Sequence, residues 1–166
     1  MTTPDRTLGV AVCGTGWCAV QHISAFQKNP RARVTWICGR DVERARAALS
    51  KAGVAVDGVR LTRDYGELLA ARDVDIISIA TPNHLHADEA VGAARAGKHF
   101  VLEKPTGLDV PELVRVRDAV RKAGVRTHSQ PLYQSVTFDR YCVRAKRIRP
   151  SHPSARSHRA NFRNGL

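Results

Sequence analysis

Short apolar runs alternate with stretches of helical spacing from residue 8 to about residue 126, and this alternation narrows the choice of fold more than any other feature of the chain. The runs are LGVAVCG (8–14), RVTWICG (33–39), a weaker GVRLT (58–62), VDIISIATP (74–82), KHFVLEK (98–104) and a last one beginning at Val125. Between them, AVQHISAFQK (19–28) sets Ala19, Ile23 and Phe26 on one stripe and stops at Asn29-Pro30. DVERARAALSKAG (41–53) opens on Asp41 as N-cap and closes on Gly53. A short helix is expected near 64–71 and another over about 85–96. The helix predicted over 109–123 carries full punctuation: Asp109 as N-cap, Pro111 in the first turn, Glu112 at the acidic position of a capping box, and Gly124 after the last turn. Strands separated by helices of this length cannot pair as hairpins. They predict an α/β chain, a doubly wound parallel sheet with right-handed crossovers.

The first strand runs into Gly14-x-Gly16-x-x-Ala19 at the head of the first helix. Gly14 permits a tight turn, Gly16 lets backbone approach a pyrophosphate, and the small Ala19 lets the helix pack on the sheet. The phosphates would then meet the free N–H groups and dipole of the helix N-terminus. A glycine pair by itself is a weak signal, but its place between strand one and helix one predicts a Rossmann NAD(P) site, with Gly14, Thr15, Gly16 and Trp17 at the cofactor. An acid that would bind an adenosine ribose is expected about 20 residues past the motif. That position is Gly39, followed by Arg40 and Asp41. A guanidinium beside the gap favours a 2′-phosphate, so Arg40 predicts NADP over NAD; Asp41 reads as a helix cap.

Ligands of open parallel sheets lie beyond the carboxyl ends of the strands. Two further strand ends should converge there: ATPNHLH (80–86), supplying Thr81, Pro82, Asn83 and His86, and EKP (103–105). Two charges and a proline behind a buried strand are not a simple turn, and a lysine so held can be positioned against a bound cofactor. Here GTGWCAVQHISAFQKNP, DVDIISIATPNHLHADEAVGAARAGKHFVLEKP and the helix that follows resemble the glucose–fructose oxidoreductase/inositol dehydrogenase (Gfo/Idh/MocA) oxidoreductases over roughly residues 8–126. The resemblance implies an NAD(P)-dependent oxidoreductase acting on a small sugar, cyclitol or related secondary alcohol. Within it Lys104 matches the catalytic lysine near the nicotinamide, Glu103 the acid of the same motif, and Asn83 the residue beside the nicotinamide ribose. His86 matches a recurrent histidine that caps the helix or lines the cleft, and His22 is expected to be structural. A charge placed like that of Lys104 can stabilise a developing alkoxide or polarise a carbonyl.

Charge divides the chain further. Of the net +12, residues 127–166 hold eight Lys/Arg against Asp139 alone, and 149–166 offer only four apolar residues. Such a segment cannot bury enough surface to fold alone. The expected organisation is a dinucleotide-binding domain over 1–128 and a poorly ordered basic tail over 129–166, truncated or out of frame, with a genuine disordered tail as the alternative. The second α/β domain that the resemblance leads one to expect, with its substrate pocket and homo-oligomer interface, is not in this sequence. The expected behaviour is therefore cofactor binding with poor turnover, and the rival reading is a non-catalytic nucleotide-sensing Rossmann module. Nucleic-acid binding through the tail is disfavoured, since it carries no recognised reading motif. Cys13, Cys18, Cys38 and Cys142 lack ligand spacing, so structural thiols and no metal are expected. The N-terminus has no charged leader and no run approaches membrane-spanning length, so a cytoplasmic protein with no membrane partner is expected.

Overall fold

The computed structural model describes residues 6–129. Six strands, β1 (Leu8–Cys13), β2 (Ala32–Cys38), β3 (Arg60–Thr62), β4 (Ile76–Ile79), β5 (His99–Leu102) and β6 (Thr127–Ser129), form one sheet in the order β3-β2-β1-β4-β5-β6. Every pairing is parallel. This is the doubly wound Rossmann arrangement, its strand order reversing between β1 and β4. The expectations for the basic segment from residue 130 onward lie outside the described residues. No helix among the described residues is long and apolar enough to cross a membrane.

The pleat divides the core. Along β1, Val10 and Val12 face one side and Ala11 and Cys13 the other, as period-two alternation requires. On the first side, Val10, Val12, Ile76 and Val101 meet Ala19, Ile23 and Phe26 of α1 (Trp17–Gln27) and Leu49 of α2 (Val42–Lys51). On the second, Ile77, Ile79, Phe100 and Leu102 meet Leu68 of α3 (Tyr65–Ala70), the alanines of α4 (His86–Arg95) and Val116 of α5 (Val110–Ala123). Each layer buries residues that are 0–9 % exposed.

Several ends differ from those predicted. α1 begins two residues early because Gly16 itself is the N-cap, so the helix rises directly out of the glycine turn. β4 is four residues long rather than nine: Val74 and Asp75 are buried in the approach to it, and past Ile79 the chain bends into a 3₁₀ turn, Asn83–Leu85, that leads into α4. At α5 the Asp109 carboxylate accepts from Glu112 N at 2.8 Å, but the Glu112 carboxylate accepts from Leu108 N at 2.7 Å, one residue before the expected partner. Gly124 ends the helix in the left-handed region at φ 67°.

Two buried charges fix the lower edge of the sheet. Asp75, fully buried, accepts from Gly9 N at 2.9 Å and pairs with Arg6. Lys98, 5 % exposed, donates from Nζ to Ala71 O (2.7 Å) and Val74 O (3.0 Å), satisfying carbonyls at the turn that enters β4. Burial lowers the Lys98 pKa, opposed by the carboxylates of Asp75 and Asp73.

Candidate functional site

β1 and β4 are neighbours whose following helices lie on opposite faces of the sheet, so their carboxyl ends open a cleft between them. The cleft has a volume of about 630 Å³, within the range of small-molecule sites. The glycine turn forms one wall, and its two glycines are required for different reasons. Gly14 has φ 109°, and a Cβ there would overlap the Ala80 carbonyl oxygen and lie 2.8 Å from its carbon, so the fold itself demands glycine. Gly16 has an ordinary φ of −77°, and a Cβ would meet no atom within 4 Å. Among the described residues nothing requires glycine at this position. The open space lies over the start of α1, where no side chain caps the helix and the first turn holds no acid. Unoccupied N–H groups and the positive dipole end therefore favour an anion there.

The far wall comes from the ends of β2 and β3. A Cβ at position 39 would crowd the Thr15 methyl, so an acid there would require the Thr15 side chain to turn away. Arg40 and Asp41 follow, both exposed and both lining the cleft, and Arg63 joins them from the end of β3. Beneath lies a polar floor. Thr81 Oγ1 donates to Glu89 Oε2 at 2.6 Å, and the Tyr65 hydroxyl donates to the Glu89 backbone carbonyl at 2.7 Å. Burial raises the Glu89 pKa, against smaller opposing effects of the Thr81 hydrogen bond and of His86 and His84. Burial likewise holds the Tyr65 phenol well above its usual range.

Gly14, Thr15, Gly16, Trp17, Arg40, Thr81 and Pro82 all line this cleft, Trp17 with 76 % of its surface exposed. Asn83, His86, Glu103 and Lys104 do not. Asn83 is exposed at the start of the 3₁₀ turn. His86 is 1 % exposed, its Nδ1 2.7 Å from Pro105 O and its Nε2 2.9 Å from Thr81 O, so its ring ties together the loops that follow β4 and β5. The Lys104–Pro105 peptide is cis, and Lys104 is exposed. Among the described residues no hydrogen bond or ion pair engages its Nζ. The Glu103 carboxylate turns inward: Oε1 accepts from His22 Nε2 at 2.9 Å and Oε2 from the backbone N–H of Lys104 at 3.3 Å.

The sequence reading missed Arg63, Tyr65, Glu89, Leu85, Cys38 and Cys18 as cleft residues, and missed the partnership of His22 with Glu103. Two signals pointed to that partnership. His22 shares the buried stripe of α1 with Ala19, Ile23 and Phe26, and Ser78 is the one polar residue of the strand IISI. A polar group in each apolar stripe needs a partner. Ser78 and His22 supply one to each other at 2.7 Å.

A family model described as "Oxidoreductase family, NAD-binding Rossmann fold" matches residues 8–130. The dTDP-3,4-didehydro-2,6-dideoxy-alpha-D-glucose 3-reductase of Streptomyces violaceoruber is 36 % identical over 126 residues, covering 75 % of this chain and 35 % of the relative. Among solved structures, the WlbA dehydrogenase of Bordetella pertussis in complex with NADH and UDP-GlcNAcA superposes with TM-score 0.66 at 32 % identity, covering 75 % of this chain and 37 % of the other. Biliverdin reductase of Synechocystis in complex with biliverdin and NADP+ superposes with TM-score 0.67 at 27 % identity, covering 75 % and 38 %. The chain spans about a third of the length of the curated relatives it matches.

Proposed function

The chain belongs to the GFO/IDH/MocA oxidoreductase family, and from that membership we propose that its Rossmann domain binds NADP in preference to NAD and serves hydride exchange at a secondary alcohol or ketone of a sugar or cyclitol. The observation that carries the reading is the contrast between the two glycines: Gly14 is demanded by the fold, whereas Gly16 leaves room over an uncapped helix N-terminus. That is the provision a dinucleotide pyrophosphate needs.

The turn Gly14–Trp17 and the first N–H groups of α1 hold the pyrophosphate. Arg40, with Arg63 on the same wall, meets the 2′-phosphate, a charge-assisted contact that NAD lacks. Thr81 and Pro82 would line the cofactor cleft, Asn83 would stand at the nicotinamide-ribose side, and His86 and Glu103 would hold the loops that follow β4 and β5. The nicotinamide, when bound, supplies the hydride acceptor or donor. Lys104 presents an ammonium that stabilises negative charge on the reacting oxygen. Relatives bound to NADH and to NADP+ support the cofactor class, and the sugar-nucleotide substrates named for relatives support the substrate class. The thiols of Cys13, Cys18 and Cys38 are free, which suits a cytoplasmic protein; a homo-oligomer is compatible with the family, and nucleic acid is not an expected partner.

Calorimetric titration with NADPH and NADH tests the reading. Arg40→Ala should weaken NADPH more than NADH, by about 1–3 kcal/mol. Equal losses remove the NADP preference, and no binding of either cofactor removes the reading altogether. Assay against a panel of polyols, sugars and their keto forms, with Lys104→Ala as control, tests the chemistry. Cofactor binding with no Lys104-dependent turnover would favour the nucleotide-sensing reading.

A further inference from the structure

Glu103 and Lys104 are adjacent in sequence, carry opposite charges and have long side chains, so the expected default is a local ion pair. The structure holds them apart. β5 continues its ladder through Glu103, whose N–H donates to Ile79 O at 3.0 Å. The pleat therefore sends the Glu103 side chain to the α1 face, the side of Val101 and Ser78, where His22 receives it. The His22 side chain is 7 % exposed and that of Glu103 17 %. Burial pushes the His22 pKa below its ordinary value, with Glu103 pulling less strongly the other way, so the ring is neutral near pH 7. A neutral ring beside a carboxylate carries its proton on Nε2, which donates to Glu103, leaving Nδ1 to accept the Ser78 hydroxyl at 2.7 Å. The set has the composition of a hydrolytic triad, but Ser78 is 0 % exposed and no substrate reaches it.

We propose that His22, fixed by Ser78, is a positioning residue: it holds the Glu103 carboxylate on the α1 face to which the pleat directs it, and so leaves the Lys104 ammonium unneutralised beyond the end of β5. Glu103 is then an internal anchor. Its second oxygen caps the Lys104 backbone N–H, which aims the residue, while its charge is spent on a neutral imidazole and an amide rather than on the lysine's own Nζ. The idea rests on the reading of Lys104 as the group that faces the reacting oxygen, but its test does not depend on cofactor or turnover.

The measurement is the acylation rate of Lys104 by a small N-hydroxysuccinimidyl acetate at pH 8, read by peptide mass spectrometry on the full chain. The rate is expressed relative to Lys122, exposed at the end of α5. An ammonium paired with a carboxylate yields free amine less readily, so His22→Ala, which frees Glu103, should lower the ratio about threefold or more. The double variant His22→Ala/Glu103→Gln should restore it to the value of Glu103→Gln alone. His22→Gln, whose amide can still donate to Glu103, should retain most of it. An unchanged ratio in a folded His22→Ala protein overturns the proposal, and so does a fall that persists in the double variant. If His22→Ala does not fold, Glu103→Gln alone decides. A ratio close to wild type supports the separation, and a clear rise shows that Glu103 already neutralises Lys104. NADPH titration of the same proteins reports separately on the proposed function.

Discussion

Alanine at Gly16 and alanine at Gly14 should have opposite signatures. At Gly14 the φ of 109° costs an L-residue about 1–3 kcal/mol. The overlap with the Ala80 carbonyl adds a backbone shift of about 1–3 kcal/mol, since the oxygen belongs to β4's exit and cannot swing away. Together these are about 2–6 kcal/mol out of a typical domain stability of about 5–15. For a domain of this size that is a fall in Tm of roughly 6–30 °C. At Gly16 no atom is met and φ is ordinary, so the entropy gained by removing a glycine from the unfolded chain, about 0.4–1 kcal/mol, is set against a poorer N-cap of similar size. Tm should move by less than about 3 °C. The new methyl, however, points into the space read as the pyrophosphate cradle. Holding the phosphates off the helix N–H groups forfeits charge-assisted hydrogen bonds of about 1.5–3 kcal/mol, a loss of NADPH affinity of tenfold or more. The assay pairs thermal unfolding by circular dichroism with NADPH titration followed through Trp17, which is 76 % exposed at the cleft and should be quenched by a bound nicotinamide dinucleotide. A folded Gly16→Ala protein that binds NADPH like wild type would refute the placement of the phosphates. A Gly14→Ala protein as stable as wild type would refute the steric account of the turn.

Three further outcomes follow from the same contacts. Arg63→Ala should weaken NADPH more than NADH, as Arg40→Ala does, and titration of the double variant should show losses that are less than additive if both guanidinium groups meet one phosphate. Lys98→Met keeps the buried stem but orphans the Ala71 and Val74 carbonyls; urea denaturation should show a loss of about 1–3 kcal/mol, and an unchanged midpoint would show that the carbonyls find other donors. The His22 pKa is lower in the folded state, so the unfolded chain takes up the proton first: its contribution is fully present above about pH 6.5 and is lost as pH falls toward the folded value. Wild type should therefore lose more Tm between pH 7 and pH 5 than His22→Gln, and parallel curves would show that His22 does not titrate with unfolding.

What the sequence made legible, and what it did not, follows from the range of the interactions. Strand and helix alternation, the glycine turn and the punctuation of α5 are local, set by residues a few positions apart, and they were read close to where they stand. β4 was read too long because Val74 and Asp75 are buried and apolar neighbours made them look like strand, whereas Asp75 is in fact a buried acceptor for Gly9 and Arg6. Arg40 was read at the far wall of the cleft, but Arg63 was missed because it reaches that wall only once β3 is placed at the outer side of β2, and strand order is not written in any local pattern. The same holds for His22, whose partners lie 56 and 81 residues away. Lys104 was singled out for its charge and its proline, and Glu103 was carried along as its motif companion. The pleat separates them. Period two past Leu102 points Glu103 toward α1 while its N–H stays in the ladder to Ile79, so residues that read as one unit in the sequence part: the Glu103 carboxylate is held at the α1 face and Lys104 stays exposed. A polar residue in the buried stripe of a helix and another in an apolar strand are the traces such an arrangement leaves. A search for pairs of these, rather than for single motifs, is the way to find the residues that hold a reactive side chain in place.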